Sequence, residues 1–199
     1  MMRYTGPKNR LSRREGVDLF GKGNRLRRLN VPPGMHGQKG TRKMSEYGRQ
    51  LREKQKVKRM YGLSEKQFAK YVTQAQKSRA NTGEVLIQLL ERRLDNTIYR
   101  LGFAPTRTSA RQLVSHVHVL VDGKKVNIPS YLVSEGQTIA LDIKAQNIPE
   151  IKKLLDIETP EVAGWLERKA AVGRMKSYPQ RNEITEPISE QDIVEYYSR

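Results

Sequence analysis

Apolar residues recur at helical intervals between residues 84 and 101, where Val85, Leu86, Leu89, Leu90, Leu94, Ile98 and Leu101 keep one period. This pattern predicts one helix opening at Thr82-Gly83-Glu84, with Gly102 where a left-handed C-cap belongs. Upstream, Ser45 to Met60 is rich in Arg, Lys, Gln and Glu, all good helix formers, with Leu51 and Val57 as sparse apolar positions and Gly62 as the stop. Ser64-Glu65-Lys66-Gln67 has capping-box spacing and opens a helix to about Arg79, with Phe68, Tyr71, Val72 and Ala75 on one side. Downstream, Thr106 caps a short helix that buries Ala110, Leu113 and Val114. Leu89, Leu94, Ile98, Tyr99, Leu113 and Val114 read as core.

The period then changes to two. Val117, Val119 and Val121 alternate with His118 and Leu120, and Asp122-Gly123 turns the chain into a hairpin strand over 125–128. A further alternation runs from Gln137 to Ile143. Residues 149–163 read as a short helical excursion or loop, Trp165 to Tyr178 as one or two more strands, and Ser189 to Tyr197 as a capped terminal helix. The pattern is that of an α+β chain in two unequal parts. Residues 1–44 lie outside it. They carry Gly6-Pro7, Gly21, Gly23, Pro32-Pro33-Gly34, Gly37 and Gly40 with arginines between. They read as an extended basic arm ordered by a partner, because so little apolar area cannot offset chain entropy.

Charge sharpens this division. The chain carries 38 Lys+Arg and 21 Asp+Glu, and residues 1–80 alone hold 22 basic against 5 acidic residues. The whole excess of +17 thus lies in the first part, and a field of that size gains most from a phosphate backbone and its released counterions. No run has the length or apolarity of a membrane span. There are 0 cysteines, so disulfides and thiolate metal sites are excluded, and a reducing compartment is compatible. His116 and His118, two apart on the expected strand, share a face, but no third ligand completes a metal site with them or with His36. Gly21-Lys22-Gly23 lacks the spacing of a nucleotide-binding loop, and the acids after residue 130 form no recognisable active site. No cofactor, metal or enzymatic activity is expected.

The candidate contacts to RNA are therefore cations and amides. Arg13, Arg14, Arg25, Arg27 and Arg28 have only Glu15 and Asp18 as acidic neighbours in sequence, and Arg3, Arg52, Lys56 and Arg59 join them. Arg93, Arg107, Arg111 and Lys124 suit phosphates. Gln112, His116, Asn127 and Ser130 suit sugars or exposed base edges, since A-form RNA is read through its backbone, 2′-hydroxyls and unpaired bases. Plainer alternatives stand beside these: Arg93 can simply pair with Asp95, Gln112 can be solvated, and Asn127 can serve its turn. Arg107 and Arg111, four apart on one helix face, are expected to be exposed.

Arg93-Leu94-Asp95-Asn96, Tyr99-Arg100-Leu101-Gly102-Phe103, Thr106-Arg107, Ala110 to His116 and Val121-Asp122-Gly123 resemble the S4-type RNA-binding domain. With them stand Arg3-Tyr4, Gly6-Pro7, Leu11 to Gly16, Pro33 to Gly37, Leu51 to Lys56, Tyr61-Gly62, Asn81 to Glu84 and the closing Ile193 to Arg199. Together these resemble the bacterial and organellar ribosomal protein S4 family over nearly the whole chain, least between 144 and 185. The resemblance implies a mainly helical basic first domain, with its arm at 1–44 and helices at 45–83. An S4-type domain of two helices and a small, mostly antiparallel sheet follows at 84–185, its core about 93–154. A terminal helix at 186–199 returns toward the first domain. It also implies a ribosome-bound protein of the cytosol or organelle matrix that binds small-subunit rRNA at a multi-helix junction and nucleates assembly of the subunit body. Neighbouring small-subunit proteins are implied as partners, with an influence on decoding accuracy. Lys39, Arg42 and Lys43 are implied to line the channel through which messenger RNA enters. In some relatives the protein also represses its own operon. Many relatives hold zinc with four cysteines in the first segment; Asn9 and Ser12 stand at matching early positions here, implying a metal-free form. The rival readings are a freestanding S4-domain RNA binder, an RNA-modifying enzyme such as a pseudouridine synthase, and a helix-turn-helix DNA binder over 84–115.

Overall fold

The computed structural model describes residues 4–23, 26, 28–37, 43–157 and 162–198. The chain divides into two compact units, residues 1–83 with 187–199, and residues 84–186.

In the first unit the basic arm departs from expectation. Lys8–Glu15 forms a helix, α1, closed by Gly16 in the left-handed region at φ 68°. The arm's described residues fold back on themselves instead of remaining extended. Buried Ser12 accepts a bond from the Leu19 amide through Oγ at 3.4 Å, and Leu19 and Leu26 are themselves buried. Arg13 donates to the Val31 and Pro32 carbonyls at 2.9 and 3.1 Å. Asp18 accepts from the Phe20 and Gly23 amides, and Asn9 from Lys22 Nζ at 2.6 Å. Local polar bonds thus supply order that the apolar content alone does not.

Helix α2 (Glu46–Met60) opens at Ser45, whose Oγ accepts from the Gly48 amide, and α3 (Glu65–Gln76) opens at Ser64 in the same way through Gln67. The latter ends three residues before the expected Arg79 and buries Phe68, Tyr71, Val72 and Ala75. The terminal helix α9 (Glu190–Tyr197) packs on α2. Gln50 donates to Glu195 at 2.8 Å, and Arg49 pairs with Asp192 at 3.0 Å. Lys54 Nζ lies 2.6 Å from Glu65 and 4.4 Å from the Tyr196 ring centroid. Burial would raise the Glu65 carboxyl, but bonds from Lys54, Lys58 and Tyr197 outweigh it and hold its pKa at about 2.

The second unit contains α5 (Leu94–Arg100) and α6 (Arg107–Ser115), with α4 (Thr82–Glu91) leading in. The single helix expected from 82 to 101 is broken. Arg93 is extended at φ −62° and ψ 136° and bridges Leu132, while the Leu94 amide donates to Tyr131 O at 2.8 Å. The period survives because both halves face one core; periodicity reports which side is inward, not whether the axis is continuous.

Among the described residues, five antiparallel strands follow in the order β2-β1-β3-β5-β4: β1 Val119–Val121, β2 Lys124–Lys125, β3 Thr138–Leu141, β4 Leu166–Lys169 and β5 Val172–Met175. Short helices α7 (Ile143–Gln146) and α8 (Pro149–Leu155) fill the stretch between β3 and β4. Asp122 and Gly123 make the turn with φ 47° and 79°, both left-handed as a two-residue hairpin of this kind requires. The core lies between α5, α6 and the sheet, around Leu101, Phe103, Val114, Ile139, Trp165 and Met175. At Gly173 a Cβ would come within 2.6 Å of the Leu101 side chain, so helix and sheet meet here at a distance only glycine allows.

Candidate nucleic-acid interface

Several cations expected to meet RNA are committed internally. Arg93 is the clearest correction. Its side chain is 1% exposed and bonds Asp95 through two nitrogens, at 3.1 and 2.7 Å. The plainer alternative, an ion pair beside its helix, is the one realised. Lys56 is likewise turned inward, 2.6 Å from Glu53.

Arg107 and Arg111 are half-buried, not exposed as expected. Arg107 donates Nε to Asn96 at 2.8 Å and Nη2 to Glu186 at 2.7 Å, and lies 4.6 Å from the Tyr99 ring centroid. Arg111 stands 3.7 Å from Asp95. Behind them Arg100 grips buried Glu91 at 2.9 Å through two nitrogens and shares Glu186 with Arg107. Burial would raise the Glu186 carboxyl, but Arg100 and Arg107 overcome it and keep its pKa below the usual range. Arg52 and Arg59 both engage Glu15 on α1, the former at 3.4 Å. Burial pushes the Glu15 carboxyl up against the pull of Arg59, Arg52, Arg14 and Lys56. Arg13, tied to two carbonyls, holds the arm together.

Of the other residues singled out, Arg14, Arg28, Lys43, Gln112, His116, Lys124 and Asn127 are exposed and Ser130 is half-buried. Arg3, Arg25, Arg27, Lys39 and Arg42 lie outside the described residues. The two histidines do not share a strand face as expected. His116 closes α6, Val117 is left-handed at φ 63°, and His118 precedes β1, so the rings meet face to face across a turn. Among the described residues no group of three His, Asp or Glu could hold a metal, and no helix is long and apolar enough to cross a membrane.

Other exposed cations escape a linear reading. Arg10 lies one turn before Arg14 on α1, and Lys66 and Lys70 lie on α3 away from its buried side. Their four-residue spacing on the polar side of amphipathic helices is the signal that marks them. The first unit therefore presents cations at separate exposed helix positions, and the second presents Gln112 and His116 at the end of α6 with Lys124 and Asn127 in and after the hairpin. Such a surface suits a polyanionic partner.

Residues 3–91 match the family described as ribosomal protein S4/S9 N-terminal domain, and residues 92–139 match the S4 domain. The chain is similar along its full length to small-subunit ribosomal proteins. It is 52% identical over 209 residues to small ribosomal subunit protein uS4 of Trichlorobacter lovleyi, with 100% of both chains covered. It is 50% identical over 201 residues to that of Parabacteroides distasonis, and 49% over 208 residues to uS4A of Symbiobacterium thermophilum, again with 100% of both chains covered. The chain belongs to the small ribosomal subunit protein uS4 family.

Proposed function

We propose that the protein is a non-catalytic constituent of the small ribosomal subunit that binds small-subunit rRNA directly, at a junction of helices, and helps nucleate assembly of the subunit body. The observation that carries this reading is full-length similarity to uS4 relatives, and the concentration of the chain's excess charge in residues 1–80 supports it. Phosphates supply most of the affinity through the exposed cations of the first unit, while Gln112, His116 and Asn127 of the second meet sugars or unpaired bases. Neighbouring small-subunit proteins are the second class of partner, through which decoding accuracy is influenced. Exposed Lys43, together with Lys39 and Arg42, belongs to the channel that admits messenger RNA.

Arg10→Ala combined with Arg14→Ala tests the phosphate role. Both side chains are exposed on one face of α1, while Ser12, Arg13 and Glu15 make its inward contacts. The double variant should keep the wild-type unfolding midpoint. Its affinity for the rRNA body domain should fall, and the slope of log K against log salt should become shallower by roughly 0.7–0.9 for each phosphate no longer neutralised. An unchanged slope would remove α1 from the interface.

A further inference from the structure

Resting on the RNA-binding reading above, we propose that Glu15 is a placeholder anion on Arg52 and Arg59, which an RNA phosphate supplants while Glu15 takes up a proton from solvent. The carboxylate sits where α1 meets α2. Its side chain is 1% exposed, and Oε1 accepts from both Arg52, at 3.4 Å, and Arg59. Oε2 is buried with no hydrogen-bond partner among the described residues. An anion buried with one oxygen unbonded is held at a cost, because it has given up water without replacing all of the bonds that water made.

The two arginines stand on the other side of this contact. Their side chains are 31% and 24% exposed, so solvent reaches them while Glu15 is shut in. Arg52, Lys56 and Arg59 recur at the helical period and share one face of α2, and Lys56 is itself held by Glu53 at 2.6 Å. A guanidinium carries more donors than one carboxylate oxygen uses, so a phosphate can bond it from the solvent side before the helices part. Once Arg52 and Arg59 share their charge with a phosphate, they pull less on Glu15. The charged groups that face Glu15 among the described residues are Arg14 on its own helix and Arg52, Lys56 and Arg59 on α2. Burial raises the carboxyl against all four, and weakening two of them raises it further. The neutral acid is the form a buried site tolerates, so the proton arrives as the phosphate does. The sign follows from linkage. A carboxyl whose pKa is higher in the complex takes up a proton on binding, so affinity rises as pH falls and levels off once Glu15 is protonated in the free protein as well.

The test is calorimetry of the full-length protein with the small-subunit rRNA body domain, from about pH 8 to about pH 5, in two buffers of different ionisation heat, which counts the protons taken up on binding. The wild-type affinity should rise toward acid pH, by up to about tenfold per pH unit for one proton. His36, His116 and His118 titrate in the same range, so the difference between wild type and Glu15→Gln decides. The glutamine has the shape of the neutral acid. It should bind roughly tenfold more tightly than wild type at neutral pH, since a decade of proton affinity is a decade of binding. It should also take up fewer protons, and the two proteins should converge at acid pH. Equal proton counts would overturn the proposal, as would weaker binding by the glutamine variant at every pH. A second measurement needs no variant: in wild-type protein labelled with carbon-13 at glutamate Cδ, one carboxyl resonance should move toward its protonated position when the RNA is added. No such movement would overturn the proposal even if Glu15→Gln fails to fold. The RNA-binding reading fails separately, if the wild-type protein shows no preference between the body domain and an unrelated RNA of equal length.

Discussion

Arg93→Ala should lower the unfolding free energy by about 3–5 kcal/mol, the usual cost of removing one partner from a buried ion pair. The guanidinium is 1% exposed and the Asp95 side chain 6%. Without Arg93, the described ion pair left to Asp95 is the longer one to Arg111, at 3.7 Å. The same residue forms the break between α4 and α5, where its backbone bridges Leu132, so the damage falls at the point that sets the angle of the chain. Urea denaturation measures it as a shift in midpoint. RNA affinity of the protein that remains folded should match wild type. A variant with wild-type stability and weakened RNA binding would return Arg93 to the interface.

Arg168→Ala should cost about 3 kcal/mol, by a different route: it leaves three partly buried acceptors without their donor, each at about 1–3 kcal/mol or less. This guanidinium faces carbonyls instead of a carboxylate. It donates to Leu101 O at 3.0 Å, Gly102 O at 3.2 Å, Leu154 O at 2.7 Å and Ala170 O at 3.1 Å, and lies 5.0 Å from the Phe103 ring centroid. Burial lowers its pKa, and among the described residues no anion opposes the shift. The acceptors at Leu101, Gly102 and Leu154 lie at helix ends, where carbonyls lack partners within the helix. Lysine at this position keeps the charge but not the planar fork, so Arg168→Lys should fall between alanine and wild type. Thermal unfolding distinguishes the three proteins. Equal midpoints for Lys and Arg would show that charge, not the fork, is what the site uses.

Both residues illustrate what a linear reading resolves and what it misses. The serine cap at 64, the Thr106 cap and the Asp122-Gly123 turn were legible because each is a local contest between a side chain and its own backbone. The inward faces of α3, α5 and α6 were legible because burial imposes a period. The α4–α5 break was not, since it depends on backbone bonds to residues 131–133, distant in sequence. Folding of the arm was missed for a related reason. Its order comes from hydroxyl, carboxylate and guanidinium bonds to nearby backbone, which a count of apolar residues does not register.

The candidate interface was legible as a type of surface more than as a set of residues. Arginine identity showed which side chains could meet phosphate, but Glu186 lies 79 residues from Arg107 and Glu15 lies 44 from Arg59. Only the folded chain reveals that those cations are already matched. The left-handed Val117 was unreadable because a valine between two histidines signals a strand, whereas the helix ending that precedes it imposes the opposite geometry.

Binding of the full-length protein to the small-subunit rRNA body domain across a salt series, compared with an unrelated RNA of equal length, separates selective rRNA recognition from generic cationic binding. The protein should strongly prefer the body domain, with a salt slope reporting several neutralised phosphates at roughly 0.7–0.9 each. Equal affinity for both RNAs at every salt concentration would contradict it, leaving a cationic surface without selective recognition.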